Sequence, residues 1–276
     1  MSSTTPTPTP SLSALAATDM STPLDPSTLS SILSAPPFIP LPGALNLRDL
    51  GLYPTSPIPS SLLFRSGALS SPSPSSPFLS ITLILDLRSS REVLHSPTPA
   101  IPGITNLHIP SSRVPTPIDM GQFVEDGGRT AYVKMYEEVL EIYGESFRKG
   151  LEWVRDRKGP VLFHCTAGKD RTGVLAALFL ALAGAPADLI AHDYALSRIG
   201  VEPARELLMH MLKMWNKEWT VDTPGMKEFS QVKGEFILGT LEMIERRWGG
   251  VDGYVRELGF SEEDIETIRR VLKGEK

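Results

Sequence analysis

The stretch from Val161 to Ala183 confines the chain to few architectures. Val161-Leu162-Phe163 is a short apolar run, and Val174 to Ala183 is a second, rich in Ala and Leu. The first reads as a buried strand and the second as a buried helix. Between them lies His164-Cys165-Thr166-Ala167-Gly168-Lys169-Asp170-Arg171-Thr172-Gly173. A cysteine therefore ends the strand, and Arg171, six positions later, opens the helix across a turn that contains glycine. Such a turn aims backbone N–H groups and a helix N-terminus at the space it encloses, which makes an anion site. Phosphate is the expected anion, with Cys165 beneath it as a nucleophile.

That chemistry needs these residue types at this spacing. Only a thiolate attacks well, and reactive cysteines owe their thiolate character to nearby cations and helix N-termini. Arg171 offers a planar fork that can hold two phosphate oxygens at once. The N–H groups of Thr166, Ala167, Gly168, Lys169, Asp170 and Arg171 can stabilise charge that develops in a transition state. The Thr172 hydroxyl can assist the sulfur when it leaves in a second step. Gly168 and Gly173 permit the tight turn and close helix packing. His164 is expected to orient the loop through hydrogen bonds. A lone cysteine at a strand end is usually a small buried hydrophobe, but the ten-residue string is far more specific than a lone cysteine.

The remaining composition is compatible with one enzyme domain. The chain has 276 residues, enough for a sizeable single core. Its net charge of −5 gives no global basic footprint for nucleic acid. A single cysteine excludes an intramolecular disulfide, and the thiol must stay reduced to react, so a cytoplasmic or nuclear location is expected. The longest apolar run, Gly173 to Ala185, has 13 residues, too few for a membrane span. The first basic residue is Arg48, so neither a secretory signal nor a transit peptide is expected. The five histidines are scattered without ligand-like spacing, and no metal or other cofactor is expected.

Of the first 42 residues, 25 are Ser, Thr or Pro, which leaves little apolar surface to bury. Residues 1 to about 22 are accordingly expected to lack structure. Within a tail of residues 1–37, Asp25-Pro26 offers an N-cap and a first helical residue, with Leu29, Ile32 and Leu33 on one face of a short helix near 26–34. A second Ser/Pro cluster, Ser70 to Pro77, reads as a surface linker. From residue 38 to the end the pattern is one α/β domain. Strands are expected near 45–49, 61–65, 81–87, 105–110 and 160–164. Helices are expected over 129–157 with a break at Gly144, then 171–183, 187–198, 203–215 and 224–248. A last helix should start at the Ser261/Asp264 capping box and run to about Leu272. The order predicts a short, mostly parallel central sheet flanked by helices on both faces, with a helix-rich C-terminal half.

The ten-residue string resembles the signature loop of the cysteine-dependent protein tyrosine phosphatases. It is most similar to an atypical group that carries His-Cys-x-x-Gly-Lys-Asp-Arg-Thr-Gly. The similarity extends to Asn46-Leu47-Arg48-Asp49-Leu50-Gly51, Phe64-Arg65-Ser66-Gly67, Leu85-Asp86-Leu87-Arg88-Ser89 with Glu92, and Asp193-Tyr194-Ala195-Leu196-Ser197. These segments cover about residues 40–270 in the expected order. Leu52 departs from the group, which usually has a second glycine there, and this bears on a local turn. The resemblance implies a phosphoric monoester hydrolase working through a phosphocysteine, with no metal. Its implied substrates are phosphotyrosine, phosphoserine or phosphothreonine proteins, or phosphoinositides. Two other classes stay open. An inactive phospho-binding relative would usually lack the cysteine or arginine. A sulfur-transfer enzyme would not need Arg171-Thr172-Gly173 leading a helix.

The proton donor to the leaving oxygen is less defined. Many tyrosine phosphatases use an Asp in Trp-Pro-Asp on a mobile loop, and this chain has no such tripeptide. Asp170, inside the signature loop, is the first candidate, as in similar enzymes. Asp119 and Asp126, in the Pro/Gly-containing stretch from Arg113 to Arg129, are the alternatives. Lys169 resembles a lysine that helps lipid phosphatases bind the extra phosphates of an inositol ring. Arg48, Asp49, Asp86 and Arg88 could line the pocket, though ion pairs at strand ends are the commoner role for such residues. His192 and Asp193 are expected to pack and hydrogen-bond.

Overall fold

The computed structural model describes residues 11–70 and 80–275. Residues 1–10 and all of the second Ser/Pro cluster beyond Ser70 lie outside the described residues. Five short strands occur where alternation and apolar runs place them: β1 (Arg48–Asp49), β2 (Leu63–Ser66), β3 (Leu83–Asp86), β4 (Thr105–His108) and β5 (Val161–His164). They form one sheet in the order β1-β2-β5-β3-β4. Every pairing is parallel except that of β1 with β2. Ser66 and Asp86 are both in register with His164, on its two sides. Three neighbouring strands thus end together, and the chain leaves the middle one at Cys165. The carboxyl edge of an open α/β sheet is where such folds bind ligands.

The helices are α1 (Leu12–Ala16), α2 (Pro26–Leu33), α3 (Ser90–His95), α4 (Arg129–Ile142), α5 (Gly144–Arg155), α6 (Asp170–Leu182) and α7 (Ala187–Ala195). They continue with α8 (Ser197–Gly200), α9 (Arg205–Trp215), α10 (Met226–Ser230), α11 (Gly234–Trp248), α12 (Val251–Glu257) and α13 (Glu262–Leu272). Ten of the 13 residues of α6 are buried. A helix apolar around its whole circumference must be central, and α6 packs against β2, β5, α4, α7, α11, α12 and α13. The strands divide their side chains with period two. Val161, Phe163, Leu83 and Leu85 enter the large apolar cluster, whereas Leu162 and Ile84 join Leu47, Phe64, Leu69 and Ile81 in a smaller one. The fold is therefore a mostly parallel sheet with flanking helices and a helix-rich C-terminal half.

Three segments differ from expectation. Residues 11–22 are ordered: Leu15, Ala16 and Leu24 are buried. The buried Arg198 guanidinium donates to the carbonyls of Thr18 (2.9 Å) and Thr22 (2.6 Å). A few apolar residues and one buried cation thus hold a segment whose composition alone suggests no structure. The span 224–248 is two helices, not one, because Gln231, Val232 and Lys233 interrupt it. A Cβ at Gly234 would stand 2.8 Å from Ala191 Cβ, so the start of α11 lies almost against α7 and cannot continue the line of α10. The short helix α12, between Gly250 and Leu258, was not expected. The expected break at Gly144 is present, as is the capping box of Ser261 with Asp264.

Candidate active site

Residues 165–169 form the turn between β5 and α6. Gly168 adopts φ +69°, and a Cβ there would lie 2.5 Å from the Ser66 and Gly67 backbone. Glycine alone fits that left-handed turn against the end of β2. Outside the turn, polar side chains hold its carbonyls. Asn46 Nδ2 donates to Ala167 O (3.1 Å) and Gly168 O (3.2 Å). Arg65 Nη2 donates to Gly168 O at 2.7 Å. Ala68 N–H donates to Thr166 O at 2.9 Å. With its carbonyls tied outward, the turn can present N–H groups inward beside the α6 N-terminus, which suits an anion.

Cys165 is buried in the apolar cluster. Arg171, in the first turn of α6, meets Glu92 of α3 in a bidentate pair, Nη1 to Oε2 at 2.8 Å and Nη2 to Oε1 at 2.9 Å. Its Nη1 also donates to Leu87 O at 3.0 Å. These bonds use the Nη1/Nη2 edge of the fork; among the described residues no protein acceptor meets Nε. The Nε/Nη2 edge is left for a ligand, and that edge can grip two oxygens of one phosphate. Burial pushes the Glu92 carboxyl up, but Arg171, Ser89 and Thr166 outweigh it and hold it well below the carboxylate range. Glu92 therefore accepts as an anion from Arg171, from the Thr166 hydroxyl and from the Ser89 side chain in the α3 capping box.

Lys169 and Asp170 diverge from the turn. Lys169 Nζ donates to Tyr132 Oη at 2.6 Å, sits 4.6 Å from that ring's centroid and lies 3.6 Å from Asp170 Oδ1. Burial lowers its pKa. Asp170 is partly exposed, and its Oδ1 accepts from Tyr136 Oη at 2.6 Å. Thr172 is fully buried, and its hydroxyl has no hydrogen-bond partner. His164 Nε2 lies 3.3 Å from Thr98 Oγ1, and its Nδ1 lies 3.2 Å from Cys165 O. Burial lowers the His164 pKa to about 4, so the ring is neutral near pH 7 and supports the strand end as a hydrogen-bonding group.

The alternative acids stand in other roles. Asp119 accepts from Gly121 N–H and Gln122 Nε2, each at 3.1 Å. Asp126 accepts from Thr130 N–H at 3.2 Å at the start of α4. Both are exposed, and the stretch that carries them is tied to α4 by Glu138, which accepts from Arg113 and from Thr116 N–H (2.9 Å). Of the Arg/Asp residues near the strand ends, Arg48, Asp86 and Arg88 are in ion pairs and, among the described residues, Asp49 is not. Asp86 pairs with Arg88 at 2.7 Å. Arg48 and Arg65 both pair with Asp193, which also accepts from Tyr53 Oη at 2.6 Å. Asp49 accepts from Gly51 N–H and Ser61 N–H. Sequence reasoning missed five contributors: Asn46, Arg65 and Glu92, quoted only inside motifs, and Tyr132 and Tyr136, read as apolar positions.

A sequence model of the tyrosine phosphatase family matches residues 39–274, which takes in the whole sheet, the Cys165 turn and α13. The chain belongs to the tyrosine phosphatase family. It is 28% identical over 278 residues to the triple specificity protein phosphatase PtpB of Mycobacterium tuberculosis, covering 85% of this chain and 98% of that protein. It is 27% identical over 226 residues to a putative tyrosine-protein phosphatase of Cupriavidus necator, covering 75% and 77%. A tyrosine-protein phosphatase of Nostoc commune is 35% identical over 119 residues, 40% of this chain and 38% of that protein. As a member of the family, this chain is a cysteine-dependent phosphatase. No helix among the described residues is long and apolar enough to cross a membrane.

Proposed function

We propose that this phosphatase hydrolyses phosphotyrosine in proteins, and phosphoserine or phosphothreonine where the pocket admits them, through Cys165. The thiolate attacks phosphorus and the bond to the leaving oxygen breaks, which forms a phosphocysteine. The turn's N–H groups and the free Nε/Nη2 edge of Arg171 hold the phosphoryl oxygens and offset their charge. Asp170 Oδ2 gives its proton to the leaving oxygen. Water then attacks phosphorus, Asp170 takes back a proton, and the thiolate departs. The observation that carries this reading is the Arg171–Glu92 pair, which orients the arginine at the start of the helix that follows the Cys165 turn and leaves the Nε side of its fork without a protein acceptor.

Asp170 is favoured over Asp119 and Asp126 because those two are engaged at turns of the 113–129 stretch, whereas Asp170 issues from the signature turn itself. A phosphoinositide or inositol phosphate substrate is the second reading, and Lys169 is its basis. Its ammonium is engaged by Tyr132, so a second phosphate would have to draw it away. The mycobacterial relative is, as its name states, a triple specificity phosphatase, and such breadth of substrate would accommodate both readings.

The test is phosphate release by wild type and Cys165→Ser, with chelator present. The panel holds phosphotyrosine, phosphoserine and phosphothreonine peptides, phosphoinositides and soluble inositol phosphates. Release that vanishes with Cys165→Ser and survives the chelator is expected, with phosphotyrosine peptides turned over fastest. No release by the reduced wild type would promote a phospho-binding module. A best rate on inositol lipids would promote the second reading.

A further inference from the structure

We propose that Tyr136, backed by Tyr194, is a positioning residue that pins one oxygen of Asp170 and leaves the other as the proton carrier. The inference rests on Asp170 being the proton donor. Tyr136 projects from α4 and Tyr194 from α7, and both are buried. Tyr136 Oη lies 2.6 Å from Asp170 Oδ1 and within hydrogen-bond reach of Tyr194 Oη. The two rings meet edge to face, with centroids 6.2 Å apart. Tyr194 is itself set against the first turn of α6: a Cβ at Gly173 would come 3.0 Å from its ring. The pair is therefore fixed to the same helix end that carries Asp170.

Counting protons fixes the direction of the chain. A phenol has one hydrogen, and an ionised carboxylate only accepts. Tyr136 must give its hydrogen to Asp170 Oδ1 and accept in turn from Tyr194. Oδ1 can keep that bond when Asp170 is protonated, provided the proton sits on Oδ2. Among the described residues Oδ2 has no protein partner. One bond thus holds the carboxyl in both halves of the reaction, and it directs the transferable proton to the free oxygen. Burial holds both phenols well above their ordinary pKa, so the donors stay protonated throughout the working range. Linked hydrogen bonds in such an environment reinforce each other. A phenylalanine at 136 would fill the same core space, so packing alone does not require the hydroxyl.

The experiment measures kcat/KM for wild type, Tyr136→Phe, Tyr194→Phe, Asp170→Asn and the double variant Tyr136→Phe/Asp170→Asn. The substrates are aryl phosphates running from 4-nitrophenyl phosphate to phosphotyrosine. A placed acid contributes roughly 10²–10⁴-fold, and it matters most when the leaving oxygen is basic. Tyr136→Phe is expected to lose about ten-fold on phosphotyrosine, a fraction of that contribution, and less than about two-fold on 4-nitrophenyl phosphate. Asp170→Asn should steepen the dependence further, and the double variant should equal Asp170→Asn. Tyr194→Phe should steepen it in the same direction by less, and it carries the test if Tyr136→Phe does not fold. Equal losses on all substrates would mean a packing role and overturn the proposal. So would a steep Asp170→Asn series beside flat series for both tyrosine variants, and that outcome would leave Asp170 standing as the acid. A flat Asp170→Asn series would remove Asp170 itself, and the proposal with it.

Discussion

Two arginine–carboxylate clusters flank the signature turn, and they differ in how far water reaches them. Arg48, Arg65 and Asp193 are sealed, with side chains 0, 0 and 2% exposed. Arg171 and Glu92 keep 16% and 20% of theirs exposed. In the sealed cluster both oxygens of Asp193 are taken, and the arginines spend further donors on Asn46, Ser197 and the Gly168 carbonyl. Among the described residues Arg65 Nε has no partner, but it is buried with the rest of the cluster and out of a substrate's reach. In the open cluster one edge of Arg171 is bonded and the other is not. The same chemistry makes a clamp where it is closed and, in the proposed mechanism, a receptor where it is half open. The clamp also holds the Gly168 carbonyl, through Arg65.

Removing the carboxylate should separate the two most sharply. Asp193→Asn leaves two buried guanidinium groups facing a neutral amide. Breaking a buried pair costs about 3–5 kcal/mol, because the remaining charge is uncompensated. A fall of that size in urea-unfolding free energy is expected, with activity lost only in step with folding. Burial raises the Asp193 pKa, but the Arg65 and Arg48 charges outweigh it, so the group is ionised in the folded state and its neutralisation is felt in full.

pH should expose a third buried group beside the receptor. His164 has a folded pKa of about 4 against an ordinary 6.5, so the folded state resists charging it. With the folded value depressed, its share of stability is complete above pH 6.5 and drains away as pH falls towards 4. The full loss is roughly 3 kcal/mol for a shift of this size. Asp86, held at about 2 against 3.8, adds its own loss only below that window. His192, also lowered by burial, acts in the same direction as His164. The check is urea unfolding of wild type and His164→Asn at pH 7.5, 5.5 and 4.0. The variant should lose most of the slope between the first and last points, and an unchanged slope would assign it elsewhere.

On the receptor side, Glu92→Gln keeps shape and one acceptor but breaks the charged bidentate pair. Arg171 loses its fixed orientation, and misplacement of a catalytic group by about 1 Å can cost on the order of 100-fold. A fall of about 10–100-fold in kcat/KM for phosphotyrosine is expected. Because the pair is mostly buried and Glu92 also accepts from Thr166 and Ser89, its stability cost should be about 1–3 kcal/mol, below that of the sealed cluster. A large loss of stability with normal turnover would reverse the roles assigned to the two clusters.

The receptor was half legible in the sequence; for the clamp, an ion pair at Arg48 and hydrogen bonding at Asp193 were legible, but not that the two meet. His164 to Gly173 is contiguous, so its chemistry and its strand–turn–helix setting could be read together. The centre of the sheet was legible for the same reason, since β2, β3 and β5 each continue or form a local apolar run. The partners arrive from a distance. Glu92 carried a visible signal, the Ser89-x-x-Glu92 capping box, but nothing in that box indicates that the same carboxylate also holds Arg171 and Thr166. Tyr132 and Tyr136 stand four apart on α4, and that spacing reported their burial correctly while hiding what their hydroxyls meet. The break between α10 and α11 was invisible because it depends on a close approach to Ala191, on another helix.

The smallest expected effect concerns the segment outside both clusters. Asp126 accepts from Thr130 N–H and the Thr130 hydroxyl, and these bonds lower its pKa. It stands at φ +43°, a left-handed conformation that Asn and Asp tolerate better than most residues. Asn keeps a side-chain oxygen for the Thr130 N–H and suits the same backbone, so Asp126→Asn should cost less than about 1 kcal/mol. If this carboxylate were the proton donor, the same change would remove the acid and cut phosphotyrosine turnover by roughly 10²-fold or more. Turnover within about two-fold of wild type is expected, because a residue engaged in starting α4 has no proton to spare for the Cys165 turn. A large loss on phosphotyrosine with 4-nitrophenyl phosphate spared would instead place the acid on the 113–129 stretch, and the contrast between the two clusters would then have to include a third, mobile partner.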